Sequence, residues 1–243
     1  MEKQVIIESC WTDKELGKLK PDFIALANTV FGDFITEHYF RMKFKDNIYG
    51  SSLITVAYVD GQPAGADVLW RNDLDGMTAY QSVDTCVLKR YRGNGLFKMI
   101  TLHELDVIGP DTFVYGFPNA NSFKGYLKQG WRVQYFYKTL SRLRTDTFIE
   151  SKYAAWWIQS QSGICYTHVR DRYYLIRRKS PTSLATLIGR VDKDTALLFP
   201  EATGGWIVKS LDTKPSIYNR NKSIPLVCNQ PGMEVPYWKI DAI

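Results

Sequence analysis

The 243-residue sequence is poor in cysteine, and its four cysteines stand far apart. Cys10, Cys86, Cys165 and Cys228 form no C-x-x-C pair, which argues against zinc and for free thiols in a reducing compartment. No metal site is expected. No apolar run approaches the ~20 residues that a membrane helix needs, and Met1–Glu8 lacks the apolar core of a secretory signal. The expectation is a cytoplasmic protein without a membrane partner. Basic residues are not gathered in a block: 31 Lys and Arg against 25 Asp and Glu leave a net charge of +6, spread along the chain. That spread points away from nucleic acid and toward a small acidic ligand. The densest basic group, Arg170, Arg172, Arg177, Arg178 and Lys179, reads equally well as a solvated face. Two phosphate-binding patterns are also missing, the Walker spacing Gly-x-x-x-x-Gly-Lys-Ser/Thr and the third glycine of a dinucleotide fingerprint.

What is present centres on Arg90-Tyr91-Arg92-Gly93-Asn94-Gly95-Leu96-Phe97. The β-prone run Ser82–Leu88 precedes it, and Leu96, Phe97, Met99, Ile100, Leu102 and Leu105 follow at roughly helical spacing to about Val107. The pattern predicts strand, glycine turn, helix. Gly93 and Gly95 leave the turn without side chains, so its amides can close on an anion. The helix start adds unpaired N–H groups and the positive end of its dipole. Arg90 and Arg92 add charge.

This stretch resembles the acyl-CoA-binding motif of the GCN5-related N-acetyltransferase (GNAT) superfamily, Gln/Arg-x-x-Gly-x-Gly/Ala after a strand, with Arg90, Gly93 and Gly95 in the motif positions. A second segment, Phe117–Trp131, resembles the family's later motif through Asn119, Ser122, Tyr126, Gly130 and Trp131. The resemblance covers about residues 37–142 and implies an α/β (α+β) GNAT fold, a mixed central sheet flanked by helices. It also implies acyl-CoA, acetyl or 3-hydroxyacyl, as co-substrate.

The chain around these motifs is consistent with such a fold. Asp13–Leu16 and Pro21–Ala27 carry helix-start chemistry, so residues 1–36 are expected to hold one or two helices. Glu37–Gly50 reads as an aromatic helix running into a turn. Ser52–Val59 and Gln62–Trp70 form strands about the hairpin signal Asp60-Gly61. Thr78–Val87, Phe113–Phe117 and Trp131–Leu140 complete the sheet. We divide the chain into a catalytic domain, 1–142, and a C-terminal lobe, 143–243, that contributes to or braces the acceptor site. Tyr39–Lys45 followed by Ser52–Val56 is echoed by Tyr173–Lys179 followed by Ser183–Leu187. The echo suggests a truncated second GNAT-like half. Thr213–Ile243, with four prolines, is expected to wrap the surface in extended form.

By the resemblance, the amides from Arg92 to Gly95, with Asn94, Leu96 and Phe97, hold the CoA pyrophosphate. Thr85, Cys86, Val87 and Leu88 pair with pantetheine where the strand splays at a β-bulge. An N–H near Cys86 or Val87 faces the thioester oxygen. Tyr126 protonates the departing thiolate, and Asn119 and Ser122 contact the cofactor. Asp84 is the candidate base; Glu37, His38 and His103 follow it, and some members of the family use none. The wording of Phe117–Tyr126 resembles GNAT proteins of bacterial surface-polysaccharide pathways. That implies transfer to the amine of a dTDP- or UDP-linked amino deoxysugar in O-antigen or capsule synthesis. A peptide, amino acid or cell-wall precursor as acceptor, or a non-catalytic acyl-CoA-binding protein, are the competing readings. Nothing in the sequence sets an oligomeric state.

Overall fold

The computed structural model describes residues 4–143, 145, 147–180, 183–202, 207–212, 223–231, 233, 235–236 and 239. The chain divides into two compact units, Met1–Val133 with Leu226–Met233, and Gln134–Pro225 with Glu234–Ile243. The first boundary falls inside a strand, nine residues before the expected end of the catalytic domain. Of the segment expected to wrap the surface, 213–222, 232, 234, 237–238 and 240–243 lie outside the described residues, and 226–228, instead of lying on the surface, are buried in a sheet of the first unit.

The first unit is built on strands β1 (Val5–Trp11), β2 (Leu53–Val59), β3 (Gln62–Arg71), β4 (Ala79–Val87) and β5 (Phe113–Gly116). They stand in that order. β1 to β4 are antiparallel neighbours, whereas β4 and β5 are parallel. Beyond β5 runs the end of β11 (Ser223–Cys228), antiparallel, with Val227 opposite Gly116 and Cys228 opposite Tyr115. Every residue of β2 is buried, because helices cover both faces of the sheet.

Alternation along β2 sorts those faces. The Tyr58 hydroxyl donates to Asp22 of α1 (Leu19–Phe31), 2.8 Å away. Ala57 and Val59 instead pack with Leu96 and Ile100 of α3 (Leu96–Ile108). Between these helices the chain forms α2 (Glu37–Phe40), which runs directly into a π-helical turn, Arg41–Lys45. The Thr36 side chain caps α2 by accepting from Tyr39 N–H. After β5, α4 (Ala120–Lys128) packs Tyr126 against Trp131, Leu53, Leu69 and Tyr80.

The hairpin at Asp60-Gly61 forms as expected, with both residues at positive φ. Two expectations for the first unit change. A strand, β1, precedes the helix: Val5–Trp11 alternates too weakly in sequence to be read as one, yet pairs along its whole length with β2. The residues 13–16, read as a helix start, form a turn, and only one helix follows. Along α3 the buried side is Leu96, Ile100, Thr101 and Glu104, while Met99 and Leu102 are exposed.

In the second unit β6 (Arg132–Arg142), β10 (Ile207–Asp212), β9 (Thr186–Val191), β8 (Arg172–Arg177) and β7 (Ile164–Val169) follow one another. β9 and β10 are parallel and the other pairs antiparallel. A one-turn helix α5 (Ser151–Tyr153) continues as a π-helical turn, Ala154–Ile158, and α6 (Lys193–Ala196) is capped by Asp192. Tyr174, Ile176, Leu187 and Val208 form its core with Leu143 and Ala185. The two echoed segments differ in backbone: Tyr39–Lys45 is helical, whereas Tyr173–Arg177 is a strand. Their likeness is one of residue type.

Candidate active site

Two neighbouring strands that pair only part-way leave a wedge between them. β4 pairs with β5 from Ala79 to Ser82, opposite Gly116, and then runs on to Val87 without it. Against β3, the register of β4 slips at the same place: Val68 faces Val83 and Ala66 faces Cys86, so Asp67 stands opposite both Asp84 and Thr85. This is the β-bulge that the resemblance implied, and Asp84 carries its strain at φ +55°. Gly65 lets β3 approach here; a Cβ on it would lie 3.0 Å from the Cys86 carbonyl oxygen.

The wedge opens into a cavity of about 520 Å³. Thr85, Cys86 and Val87 of β4 line one side, and Gly93, Gly95, Leu96 and Phe97 the turn and first residues of α3. Asn119 and Ser122 of α4 close it, with Arg92 alongside. Ten residues read from the sequence thus meet around one space. Val30 and Phe31 at the end of α1, with Tyr91 and Asn121, also line it. Tyr91 and Asn121 fall at unspecified positions inside the two motif segments, whereas Val30 and Phe31 lie outside both, so only the fold could place them.

The glycine turn has the properties of an anion cradle. Gly93 (φ +83°) and Gly95 (φ +79°) are left-handed, and neither would meet a neighbour if given a Cβ. Conformation, not space, calls for glycine there. No side chain caps α3, so its first N–H groups are left to the cavity. Arg92 Nε donates to the Val87 carbonyl at 2.9 Å, tying the turn to the strand. The Asn94 side chain donates to the Tyr91 carbonyl at 3.2 Å. Arg90 is exposed and stacks on Tyr91, its guanidinium carbon 4.9 Å from the ring centre. Neither Arg90, Asn94 nor Leu88 lines the cavity.

Asn119 caps α4: its side-chain oxygen accepts from the N–H groups of Asn121 (2.9 Å) and Ser122 (3.1 Å). Tyr126 stands on the inner side of α4, in edge contact with Phe97 and close to Trp131 (ring centres 4.9 and 4.6 Å). Its hydroxyl lies 2.7 Å from Ser82 Oγ, at the last paired residue of β4. It is buried behind Phe97 where β4 and β5 part, at the apex of the wedge, and neither it nor Asp84 lines the cavity. Burial, followed by the charge of Asp67, raises the Tyr126 phenol above its ordinary range.

Asp84 is held by an ion pair. Its Oδ2 lies 3.4 Å from Lys43 Nζ, which is wholly buried and also donates to the Tyr39 hydroxyl at 2.7 Å. Lys43 lies with Phe40 and Phe44 on the buried side of the segment that α2 and the π-helical turn form. Glu37 is exposed and paired with Lys20, and His38 is exposed. Neither His38, Glu37 nor His103 lines the cavity. The Cys86 thiol is buried, and desolvation pushes it up to about 12, a poor nucleophile at neutral pH.

Sequence reading missed Asp67. Its carboxylate accepts from the hydroxyls of Ser82 (2.8 Å) and Thr85 (2.5 Å) in the core. Burial pushes it up to about 6, with Thr85, the neighbouring Glu104 carboxyl, Ser82 and the Val68 amide opposing; both Glu104 carboxyl oxygens are buried without a hydrogen-bond partner among the described residues. Glu104 of α3 is equally buried and is pushed well above the carboxylate range, by burial first and the Asp67 charge second. One signal was present: Leu96, Ile100 and Glu104 are four apart, so a charge falls on the buried stripe of α3.

No family model and no curated protein matches the sequence. Solved structures do resemble it. A GCN5-related N-acetyltransferase from Kribbella flavida shares 10% identity over 91% of this chain and 71% of that one, with a TM-score of 0.53. Another from Anabaena variabilis shares 10% over 91% and 72%, at 0.55. A probable N-acyltransferase from Enterococcus faecalis shares 12% over 94% and 72%, at 0.57. The fold is that of the GCN5-related N-acetyltransferases.

Proposed function

We propose that the protein is an acyl-CoA-dependent N-acyltransferase acting by direct attack of an amine on the thioester. The observation that carries this reading is the glycine turn and uncapped start of α3 opening into the same cavity as the unpaired stretch of β4. In this reading the amides of Gly93, Asn94 and Gly95 hold the pyrophosphate of CoA. The free edge of Val83–Val87 offers backbone groups to the amides of pantetheine. A backbone N–H near Cys86 or Val87 steadies the thioester oxygen as it gains charge. Tyr126 gives its hydroxyl proton to the sulfur as the carbon–sulfur bond breaks and the carbon–nitrogen bond forms. Asp84, ion-paired with Lys43, orients the amine and accepts its surplus proton.

For the acceptor we propose a dTDP- or UDP-linked amino deoxysugar. The wording of Phe117–Tyr126 supports it, and the net charge of +6 favours a pyrophosphate-bearing substrate. Residues beyond 142 serve, in this proposal, in acceptor binding or as a brace to it.

Free-thiol release from acetyl-CoA and 3-hydroxybutyryl-CoA, measured over a panel of dTDP- and UDP-amino sugars, tests both parts. Release is expected with one nucleotide sugar, and Tyr126→Phe should lower kcat about 100-fold with little change in KM for the donor. Release with amino acids or peptides alone would keep the reaction and discard the sugar. Donor binding without turnover on any amine would make the protein an acyl-CoA-binding protein.

A further inference from the structure

A row of polar side chains crosses the α3 face of the sheet, through a core that is otherwise apolar. On β1 and β2, Ser9 Oγ and Thr55 Oγ1 lie 2.8 Å apart, and Thr55 stands opposite Asp67 of β3. Asp67 receives Ser82 and Thr85 of β4, Ser82 reaches Tyr126 of α4, and Glu104 of α3 faces the row. Asp67 and Glu104 are 2% and 1% exposed. Two carboxyl groups set together in a core are costly, and an apolar pair of the same size would hold this face together at least as well. Their placement calls for a role other than packing.

The hydrogen bonds have a direction. When Asp67 is ionised its carboxylate accepts from Ser82, so the Ser82 proton is committed and its oxygen accepts from Tyr126. The Tyr126 proton then points into the core. When the Asp67–Glu104 pair shares a proton, Asp67 can donate to Ser82 and Ser82 to Tyr126, which leaves the Tyr126 proton free to leave. The chain has two ends, the Tyr126 hydroxyl at the apex of the wedge and Thr85, which lines the cavity.

We propose that Asp67, acting through Ser82, is a positioning residue that aims the Tyr126 hydroxyl and resupplies its proton, with Glu104 holding the shared proton in reserve. This inference rests on the acyl-transfer reading above. As the carbon–sulfur bond breaks, the Tyr126 O–H bond breaks and an S–H bond forms. The phenolate takes the Ser82 proton, and Ser82 takes the proton of the Asp67–Glu104 pair. Cavity water returns a proton to the pair through Thr85, while the proton shed by the amine passes to Asp84 and from there to solvent. No charge accumulates and no oxidant or reductant enters. The ionisable groups facing Asp67 are Glu104 from α3, Tyr126 from α4 and Cys86 from β4. Of these, Asp67, pushed up to about 6, titrates below the Cys86 thiol, so kcat should decline as pH rises and the shared proton is lost.

The test follows kcat and donor KM against pH for the wild type, Asp67→Asn and Ser82→Ala, using the amine that the wild type turns over. Both variants should lose about tenfold or more in kcat with donor KM unchanged, and both should lose the alkaline decline that belongs to the pair. Near-UV circular dichroism establishes that each variant is folded. A folded variant of either kind that keeps kcat within twofold and keeps the decline overturns the proposal. A second readout needs no turnover. Difference infrared spectra of the wild type at neutral pH should carry a protonated-carboxyl C=O band that Asp67→Asn and Glu104→Gln remove. If no amine is turned over, the acyl-transfer reading fails while this band still reports on the pair; absence of the band in the wild type overturns the relay itself.

Discussion

At the scale of single residues, a buried carboxyl that titrates late leaves a mark on stability. Asp67 binds its proton more tightly in the folded chain than in the unfolded one. Between the two titrations the folded state holds more protons, so raising the pH withdraws stability. The loss starts near the ordinary carboxylate range, about pH 4, and is complete above about pH 6. Urea denaturation across pH 4–8 should show Asp67→Asn gaining on the wild type by about 2–3 kcal/mol over that interval. A gap that stays constant with pH would mean that the carboxyl titrates normally. Much of the site at this scale was legible: Gly93, Gly95, Asn119 and Tyr126 carry their spacing in the sequence. Lys43 and Asp67 were not read, since a lone charge in an apolar stripe or a β-prone run is far more often at the surface, and only the fold shows that these two turn inward. Lys43 falls at helical spacing on the apolar stripe of Phe40 and Phe44, but the carboxylate that pairs with it, Asp84, lies 41 residues on in sequence.

At the scale of elements, the packing of α4 on α3 depends on one missing side chain. A Cβ on Gly125 would stand 2.5 Å from the Phe97 ring. Phe97 in turn lines the cavity and covers Tyr126. Gly125→Ala should push that ring toward the cavity, destabilising by about 1–3 kcal/mol and raising donor KM more than it lowers kcat. Thermal melts and steady-state kinetics check both; unchanged KM would show that the ring can move elsewhere. Element type was read well where a glycine or a hairpin dipeptide punctuates the chain, as for β2, β3, β4 and α3. β1 escaped because Ile6 and Glu8 interrupt any apolar alternation, and its partner β2 lies more than forty residues away in sequence.

At the scale of the whole molecule, the sheet of the first unit borrows from far along the chain. Asn229 accepts from the Val114 N–H at 2.9 Å and gives its own N–H to the Val114 carbonyl at 3.0 Å. Its amide also donates to the Thr112 carbonyl. A chain ending at Arg142 would lose these bonds and leave the buried Val114 beside a bare strand edge. Such a chain should melt without cooperativity or aggregate, and a separate peptide of residues 223–233 should restore a sharp transition. A sharp melt without the peptide would show that 1–142 suffices alone. No sequence reading from the motifs outward could find this strand, because a sheet's last member announces itself only through its neighbours. During synthesis the glycine turn and α3 emerge from the ribosome early, but the edge of β5 stays open until more than a hundred further residues have been made. The nascent chain is thus exposed to wrong pairing for nearly half of its translation, and a chaperone that shields strand edges has its longest task there.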